Sequence, residues 1–444
     1  MNKYKFLLAV IVVVATSCQK HLIEDQLVVQ SVETSNPYAI SEQEALVSLD
    51  EFMAVFDDSQ TRSNRRRSVR SIHSVPSENI LNQTRTSACD DVGDLLYIVE
   101  FENGEGSAIL GADRRLRSVY AVLDESVLTI DDFANAANED DGSDVAAFIA
   151  GVISDDVCNT MSDFGDPAPL IPPGDSLRSD WNDVIVTNSV YNYIPPLLNT
   201  KWCQTDIYND KFRDNKTIYT DGKQCAGCVT IALGQILNNL SYPSPIELND
   251  HTYYWRDINQ FVWNHSITDS LLRDKVANFV FDLSEELGVK YKDNGATGAT
   301  KYDVKRVLRR LDFNNLDFGN ITKSRVYPML YNYKPVYARG HSPSGSGHAW
   351  VIDGCKTVVR FDYYVTYNGA NIEIDRELIY ELRTDYVHCN MGYSGACDGY
   401  YVLDIFDLTD RRSSSEMEPG CGDTIDGNEY EIYDRDLEAL TYNY

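Results

Sequence analysis

Apolar positions near the start of the chain form one unbroken run. It extends from Phe6 to Ala15, follows two lysines, and ends in the small residues before Cys18. The run is shorter than the roughly 18–20 apolar residues that a membrane-spanning helix needs, so it predicts a cleaved export signal over residues 1–17. Residues 18–40 are polar and show no periodicity, which predicts a tether.

A helical pattern and then a strand pattern follow the tether. Ser41 and Glu44 form a capping box before apolar residues spaced three and four apart, which predicts an amphipathic helix. Further on, LLYIVEF and SAILGAD flank a turn at Glu102-Asn103-Gly104, which predicts a β-hairpin. Residues 41–154 are therefore predicted to form a small α+β domain.

The second half of the chain follows a segment rich in Pro, Asp and Asn. Residues 155–190 are predicted to be a linker, and residues 191–444 a second and larger domain. In that domain, apolar residues recur with a helical period after Cys228 and stop before Pro243, which predicts a helix that begins at Cys228.

Composition and charge restrict the function. The 444 residues are 43% hydrophobic, which excludes a disordered chain. The 39 Lys and Arg stand against 68 Asp and Glu, a formal charge of -29, and such a chain repels phosphate. We therefore expect no nucleic-acid partner, and no membrane contact except through a lipid anchor.

Cys228 is the first candidate for chemistry. A cysteine at a helix N-terminus can be a thiolate, because the positive end of the helix dipole favours the negative charge. The spacing Cys225-Ala-Gly-Cys228 also permits a redox pair or half of a metal site. The chain has no second CxxC and no HxxxH to complete a zinc site, so we expect no metal and no cofactor.

A thiolate nucleophile needs a base, and the chain has seven histidines. His348 comes directly after the flexible run SPSGSG and starts the apolar run AWVIDG, so it is accessible and also firmly held. His388, beside Cys389-Asn390, also lies at the end of a predicted strand. A single histidine on a strand is more often structural, so the argument for His348 depends on the residues around it.

Four motifs in order resemble those of the streptopain family of papain-like cysteine peptidases. They are KWCQ, CAGCVTIALGQIL, GHAWVIDG and HCNMGYSGACDGYYVLDIF, within residues 195–407. Residues 40–135 resemble the family's propeptide, through EALVSLDEF and LLYIVEFENGEGSAILGAD. The resemblance implies an α+β fold: a two-lobed papain-like peptidase, with a helical lobe and an antiparallel β lobe, preceded by a small α+β propeptide domain.

The resemblance also implies a role for each residue of the site. Cys228 corresponds to the nucleophile, His348 to the general base and acid, Asn390 to the residue that orients the imidazole, and Gln204 to the oxyanion hole. A thiolate–imidazolium pair would attack the carbonyl and protonate the leaving amine. The family usually has Trp after the orienting Asn, where this chain has Met391.

The resemblance further implies partners and a location. The substrates would be proteins or peptides, and the chain's own propeptide, covering the site until it is cut within residues 155–190, would be an intramolecular inhibitor. Ala15-Thr16-Ser17-Cys18 resembles a bacterial lipobox, so Cys18 is predicted to carry lipid. We expect a lipoprotein of the bacterial cell envelope, periplasmic or on the surface, or a protein secreted after processing.

Two other functions remain open. The same frame without turnover would be a surface adhesin or binding lipoprotein, but such a protein does not need Gln204 and Asn390 beside Cys228 and His348. Amide cleavage in cell-wall peptides by another Cys/His fold is the third hypothesis, and the propeptide resemblance argues against it.

The remaining cysteines suggest a disulfide count. With Cys18 assigned to lipid and Cys228 to catalysis, eight of ten remain, an even number within each domain. The even numbers permit complete pairing, which predicts a single free thiol. The eight are Cys89 and Cys158 in the region before residue 191 that would be removed, and Cys203, Cys225, Cys355, Cys389, Cys397 and Cys421 in the second domain.

Overall fold

A computed structural model describes most of the chain after residue 35. The described residues are 36, 38–57, 67–77, 93–134, 146, 149–150, 152–153, 156–157, 180–214, 223–263, 270–291, 297–341, 347–370, 372–406 and 435–444. The predicted signal peptide, Cys18 and nearly all of the tether lie outside these ranges. From residue 36 onward the chain forms one compact unit.

The first part of this unit is a helix packed on a four-stranded antiparallel sheet. The capping box forms as predicted, because the Ser41 N–H donates to Glu44 Oε2 at 2.8 Å and the Glu44 N–H donates to Ser41 Oγ at 3.3 Å. The predicted hairpin also forms, and Asn103 in its turn has φ +60°. The elements are α1 (Glu42–Asp57), β1 (Val69–Pro76), β2 (Asp94–Phe101), β3 (Ser107–Gly111), β4 (Val119–Leu123) and α2 (Ile130–Ala134).

Helices dominate the next part of the chain after residue 227. They are α3 (Cys228–Leu240), α4 (Trp255–Trp263), α5 (Ser270–Leu287), α6 (Lys301–Arg310) and α7 (Lys323–Tyr331). Short strands lie between them, β6 (Ile246–Leu248) with β7 (His251–Tyr253) and β8 (Lys290–Tyr291) with β9 (Thr297–Gly298). Helix α3 is buried along nearly its whole length, because most of its residues are apolar.

The remaining elements are antiparallel strands, several of them long. They are β5 (Asp180–Ile194), β10 (Asn314–Asn320), β11 (Val336–His341), β12 (Gly347–Asn368), β13 (Glu373–Asn390), β14 (Gly399–Val402) and β15 (Arg435–Asn443). In one eleven-stranded sheet the order is β1-β2-β3-β4-β14-β13-β12-β11-β15-β10, and β5 pairs with β12. The sheet of the first part thus continues into the second through β4 and β14.

These elements confirm the predicted α+β class, with a helical part and an antiparallel β part after a small α+β domain. The predicted linker overlaps strand β5: residues 180–190 pair with β12, whereas 158–179 lie outside the described residues. Among the described residues, no helix combines the length and apolar character that crossing a bilayer requires.

Candidate active site

Cys228 is the first residue of α3, as the periodicity predicted. The residue before it, Gly227, has φ +91°, a conformation that residues with a Cβ rarely adopt. A Cβ at Gly227 would also lie 2.9 Å from Thr297 Oγ1, so this approach to the helix needs glycine. Burial raises the pKa of the Cys228 thiol, and the backbone N–H groups of Ala349 and Val229 oppose the rise.

His348 stands at the start of β12, next to Ala349. Its Nε2–H donates to the Met391 carbonyl at 3.1 Å, and Tyr393 donates its hydroxyl to Nδ1 at 3.2 Å. The ring stacks between Tyr393, with centroids 5.1 Å apart, and Trp350, with centroids 6.0 Å apart. Burial lowers the pKa of His348 to about 4, although the Met391 carbonyl favours the charged form.

Asn390 ends β13 and lies opposite Val351 of β12 in the register. Its amide is buried and bonds to groups other than the His348 ring. Nδ2 donates to the Thr200 carbonyl at 2.9 Å, and Oδ1 accepts from Gln235 Nε2 at 2.8 Å. Gln235, on the buried side of α3, also accepts from the Thr200 hydroxyl at 2.7 Å.

Gln204 lies alongside the segment that leads into α3. Its backbone carbonyl accepts from the Ala226 N–H at 2.8 Å. Its side-chain Oε1 accepts from the Cys225 thiol at 3.1 Å. Gln204 is therefore tied by two hydrogen bonds to residues two and three positions before Cys228.

The four predicted residues thus belong to four separate stretches of the sequence that meet at α3 or at the segment before it. Gln204 is bonded next to Cys228, and Asn390 is bonded to α3 through Gln235. His348 is connected through its neighbour Ala349, whose N–H acts on the Cys228 sulfur. In the full-length chain the pKa values of Cys228 and His348 shift toward the neutral thiol and the neutral imidazole.

Gln235 is the residue of this region that the sequence analysis did not identify. It connects Thr200, Asn390 and, through the Trp202 N–H at 3.3 Å, the segment that carries Gln204. The signal was a polar residue within the apolar pattern of α3. A buried amide must find partners, because an unsatisfied one costs on the order of 1–3 kcal/mol.

The loop that holds His348 is braced by the first domain. This loop, residues 391–398, contains the Met391 and Tyr393 partners of His348. Its Cys397 N–H donates to Ser126 Oγ, and the Asp124 N–H donates to the Asp398 carbonyl, both at 2.7 Å. Within the loop, the Met391 N–H donates to Asp398 Oδ1 at 2.7 Å.

A buried histidine joins the two parts at the same place. His388 Nδ1 lies 2.6 Å from Asp353 Oδ1, and its Nε2 lies 3.8 Å from Asp124 Oδ2. Burial alone would lower the pKa of His388, but the charges of Asp353 and Asp124 outweigh it and raise the pKa to about 10. His388 is therefore a buried cation between the first domain and the second.

Two basic side chains of β12 also reach into the first domain. Lys356 is fully buried, donates to the Phe52 carbonyl at 2.5 Å and lies 3.2 Å from the centre of the Phe52 ring. Arg360, 5% exposed, donates to the Leu116 carbonyl at 2.7 Å. Burial lowers the pKa of Lys356 well below its ordinary value, because the apolar surroundings disfavour the charged form. The carbonyl partners accept hydrogen bonds from both side chains, whose N–H groups would otherwise be costly to bury.

The cysteines contradict the predicted single free thiol. Cys203, Cys355 and Cys389 are free thiols in addition to Cys228. All three are buried in the apolar core, where a thiol packs like a small hydrophobic side chain. In the part of the chain that the structure describes, no group of three or more His, Cys, Asp or Glu residues could bind a metal ion.

Comparison with known proteins relates this chain to peptidases. Residues 202–401 match the Peptidase C10 family. Streptopain of Streptococcus pyogenes serotype M28 is 22% identical over 250 residues, which is 48% of this chain and 52% of the relative. Streptopain of serotype M1 is 22% identical over 246 residues, with the same coverage. The chain thus spans about half the length of the curated relatives it matches.

Two solved structures are also similar. A fragment of prointerpain A from Prevotella intermedia is 19% identical, covers 84% of this chain and 98% of its own, and has a TM-score of 0.48. Active interpain A cysteine protease of the same organism is 24% identical, covers 47% of this chain and 86% of its own, and has a TM-score of 0.35.

Proposed function

Because residues 202–401 match the Peptidase C10 family, in agreement with the predicted streptopain resemblance, we propose that the chain is a cysteine endopeptidase made as an inactive precursor. Cys228 would attack the peptide carbonyl and His348 would take up and return the proton. Gln204 would stabilise the oxyanion. Asn390 would orient the imidazole after an exchange of partners, because in this structure its amide is bonded to Thr200 and Gln235 rather than to His348. The substrates would be proteins or peptides, and no cofactor would be needed.

One observation supports this proposal: segments far apart in the sequence meet at α3. Gln204 is bonded to Cys225, the Ala349 N–H next to His348 acts on the Cys228 sulfur, and Asn390 is bonded to Gln235 further along the helix. A redox pair at Cys225 and Cys228 would not need these partners. The Cys225 thiol is instead bonded to Gln204, at 3.1 Å. The arrangement suits acyl transfer, in which a helix N-terminus favours the thiolate and a nearby amide donates to the oxyanion.

The precursor state is supported by the contacts of the first domain. Ser126 and Asp124 bond to loop 391–398, and that loop holds both ring nitrogens of His348. In this state the imidazole is neutral and is bonded away from the Cys228 sulfur. We propose that removal of the first domain frees this loop, so that His348 turns toward Cys228 and forms the ion pair.

Export and lipidation belong to the same proposal. The apolar run before Cys18 supports a lipoprotein of the bacterial envelope, exposed to the periplasm or to the outside. N-terminal mass analysis of the protein from its native membranes should find an acylated Cys18. An unmodified Cys18 within a longer mature chain would contradict lipidation without touching the proposed chemistry.

Turnover by purified full-length protein tests the central claim. We expect casein cleavage, self-processing, and labelling by an epoxysuccinyl inhibitor at Cys228. Cys228→Ala should lose all three, because it removes the proposed nucleophile. Cys397→Ala, which removes another half-buried thiol, should keep them. If Cys228→Ala cleaves casein as the wild type does, the proposal is wrong, and if the wild type only binds protein, a binding function replaces it.

A further inference from the structure

Gln204 can serve an oxyanion only if the correct end of its amide faces the site. The side-chain amide has an acceptor oxygen and a donor NH2 group, and its last torsion is roughly two-fold. A half-turn therefore exchanges donor and acceptor at little cost unless another group distinguishes them. The backbone bond from Ala226 to the Gln204 carbonyl places the residue but does not choose between the two ends.

The Cys225 thiol distinguishes the oxygen end of the Gln204 amide from its nitrogen end. It lies 3.1 Å from Gln204 Oε1 and donates to it, which leaves the NH2 group to point elsewhere. Cys225 is 8% exposed, so water competes poorly for this bond. Cys225 is also only three residues before Cys228, so one short segment carries both the nucleophile and the group that orients Gln204.

We propose that Cys225 is a positioning residue for this site: its thiol fixes the Gln204 amide with the nitrogen toward the oxyanion. This inference rests on the proposed peptidase function and adds a second cysteine that acts without attacking the substrate. Cys225 makes no bond to substrate and acts only through Gln204. The alternative, that the cysteine at this position only fills space, makes different predictions for each variant below.

Kinetics of the self-processed full-length chain, normalised to active sites titrated with an epoxysuccinyl inhibitor, test the proposal. We expect Cys225→Ala to lower kcat about 10-fold with little change in KM, because the oxyanion forms only after binding. Loss of a whole oxyanion donor costs about 100–1,000-fold, and a misdirected donor should cost part of that. Cys225→Ser keeps a donor and should restore kcat to within about 2-fold of the wild type.

Two controls separate an effect on the orientation of the Gln204 amide from an effect of lost packing at Cys225. In a Gln204→Ala background, Cys225→Ala should have no further effect on kcat, because the group through which it acts is gone. Cys203→Ala removes an equally buried thiol next to Gln204 in the sequence, one that donates to the Thr205 carbonyl at 3.3 Å. It should leave kcat unchanged. A loss of kcat that persists without Gln204, or an equal loss in Cys203→Ala, would overturn the proposal.

A second readout does not depend on turnover. In Cys228→Ala protein labelled with 15N-glutamine, the side-chain amide signals of Gln204, assigned by their loss in Gln204→Glu, report its orientation. We expect one pair of signals in the parent and in Cys225→Ser, and shifted or doubled signals in Cys225→Ala. Unchanged signals in Cys225→Ala would refute the positioning role even if the wild type proved inactive, and inactivity alone would refute only the peptidase function.

Discussion

The buried cation at His388 makes the stability of the precursor depend on pH in a defined window. Folding raises the pKa of His388 from 6.5 to about 10 through Asp353 and Asp124. Because the folded state binds the proton more tightly, this stabilisation is complete below about pH 6.5 and is lost as the pH rises toward about 10. The perturbation that tests it is His388→Gln, which removes the titrating group and keeps a polar side chain.

The folded and unfolded pKa values of His388 set the size of its contribution to the unfolding free energy. At about 1.4 kcal/mol per pKa unit, the full contribution of His388 approaches about 5 kcal/mol. The same two values leave about 4–5 kcal/mol at pH 6 and about 1–2 kcal/mol at pH 9. The precursor should therefore lose about 3 kcal/mol of unfolding free energy between pH 6 and pH 9 through this one residue.

Urea unfolding of Cys228→Ala precursor, in which self-cleavage cannot interfere, measures this loss at pH 6, 7.5 and 9. The repulsion within such an acidic chain also changes with pH, so the quantity of interest is the difference between the parent and His388→Gln. That difference should shrink by about 3 kcal/mol from pH 6 to pH 9. Buried cysteines whose pKa values are raised begin to contribute above about pH 8.5, and buried tyrosines only above about pH 10. Burial also raises the pKa of Asp398 to about 7, which the charge of His388 opposes, so Asp398 titrates in the same window and is read together with His388.

A matched histidine serves as the control. His251 Nδ1 lies 2.7 Å from Asp282, but the side chain of His251 is 67% exposed, so solvent screens the pair. His251→Gln should leave the pH dependence of the parent in place. If the parent and His388→Gln differ in unfolding free energy by the same amount at pH 6 and pH 9, His388 is not a buried cation and the argument fails.

Three other features give shorter predictions. Gly399→Ala should lower the unfolding free energy of the precursor by about 1–3 kcal/mol in urea. The backbone of Gly399 has φ +154°, and a Cβ there would lie 2.2 Å from the Val122 carbonyl oxygen. An unchanged urea midpoint would contradict this. Denatured, unreduced protein should titrate at least four thiols with a disulfide reagent, from Cys203, Cys228, Cys355 and Cys389, whereas a count of one would restore the disulfide prediction. N-terminal sequencing of the processed chain should place the new terminus before Asp180, because β5 is paired with β12 and peptidases cut unpaired segments; a terminus within 180–194 would show that β5 opens.

Local patterns predicted the elements whose stability is local. The capping box at Ser41 and the Asn103-Gly104 turn each depend on residues within a few positions, and both formed as predicted. Strand β5 was assigned to a linker because its surroundings are rich in Pro and Asp. Its partners are residues 355–368 of β12, more than 160 positions away, and no local pattern carries that information.

The same distinction between local patterns and distant contacts applies to the candidate site. Residue types and spacing identified Cys228 at a helix N-terminus, and the motifs supplied His348, Asn390 and Gln204. What those side chains bond to in the full-length chain depends on contacts between distant segments, such as Met391 with His348 and Gln235 with Asn390. The sequence therefore predicts which chemistry is possible, whereas the arrangement of the groups depends on contacts between distant segments that no local pattern shows.

Gln235 shows how a sequence can still point to such a contact. In CVTIALGQILNNL the helical period places Gln235 among residues that must be buried, and an amide there requires both a donor and an acceptor. Its partners prove to be the segment before Gln204 on one side and Asn390 on the other. A buried polar residue one turn or two beyond a nucleophile thus marks where the rest of the site attaches to the helix. Replacing Gln235 by Leu would remove that attachment, because neither Thr200 nor Asn390 could bond to an aliphatic side chain.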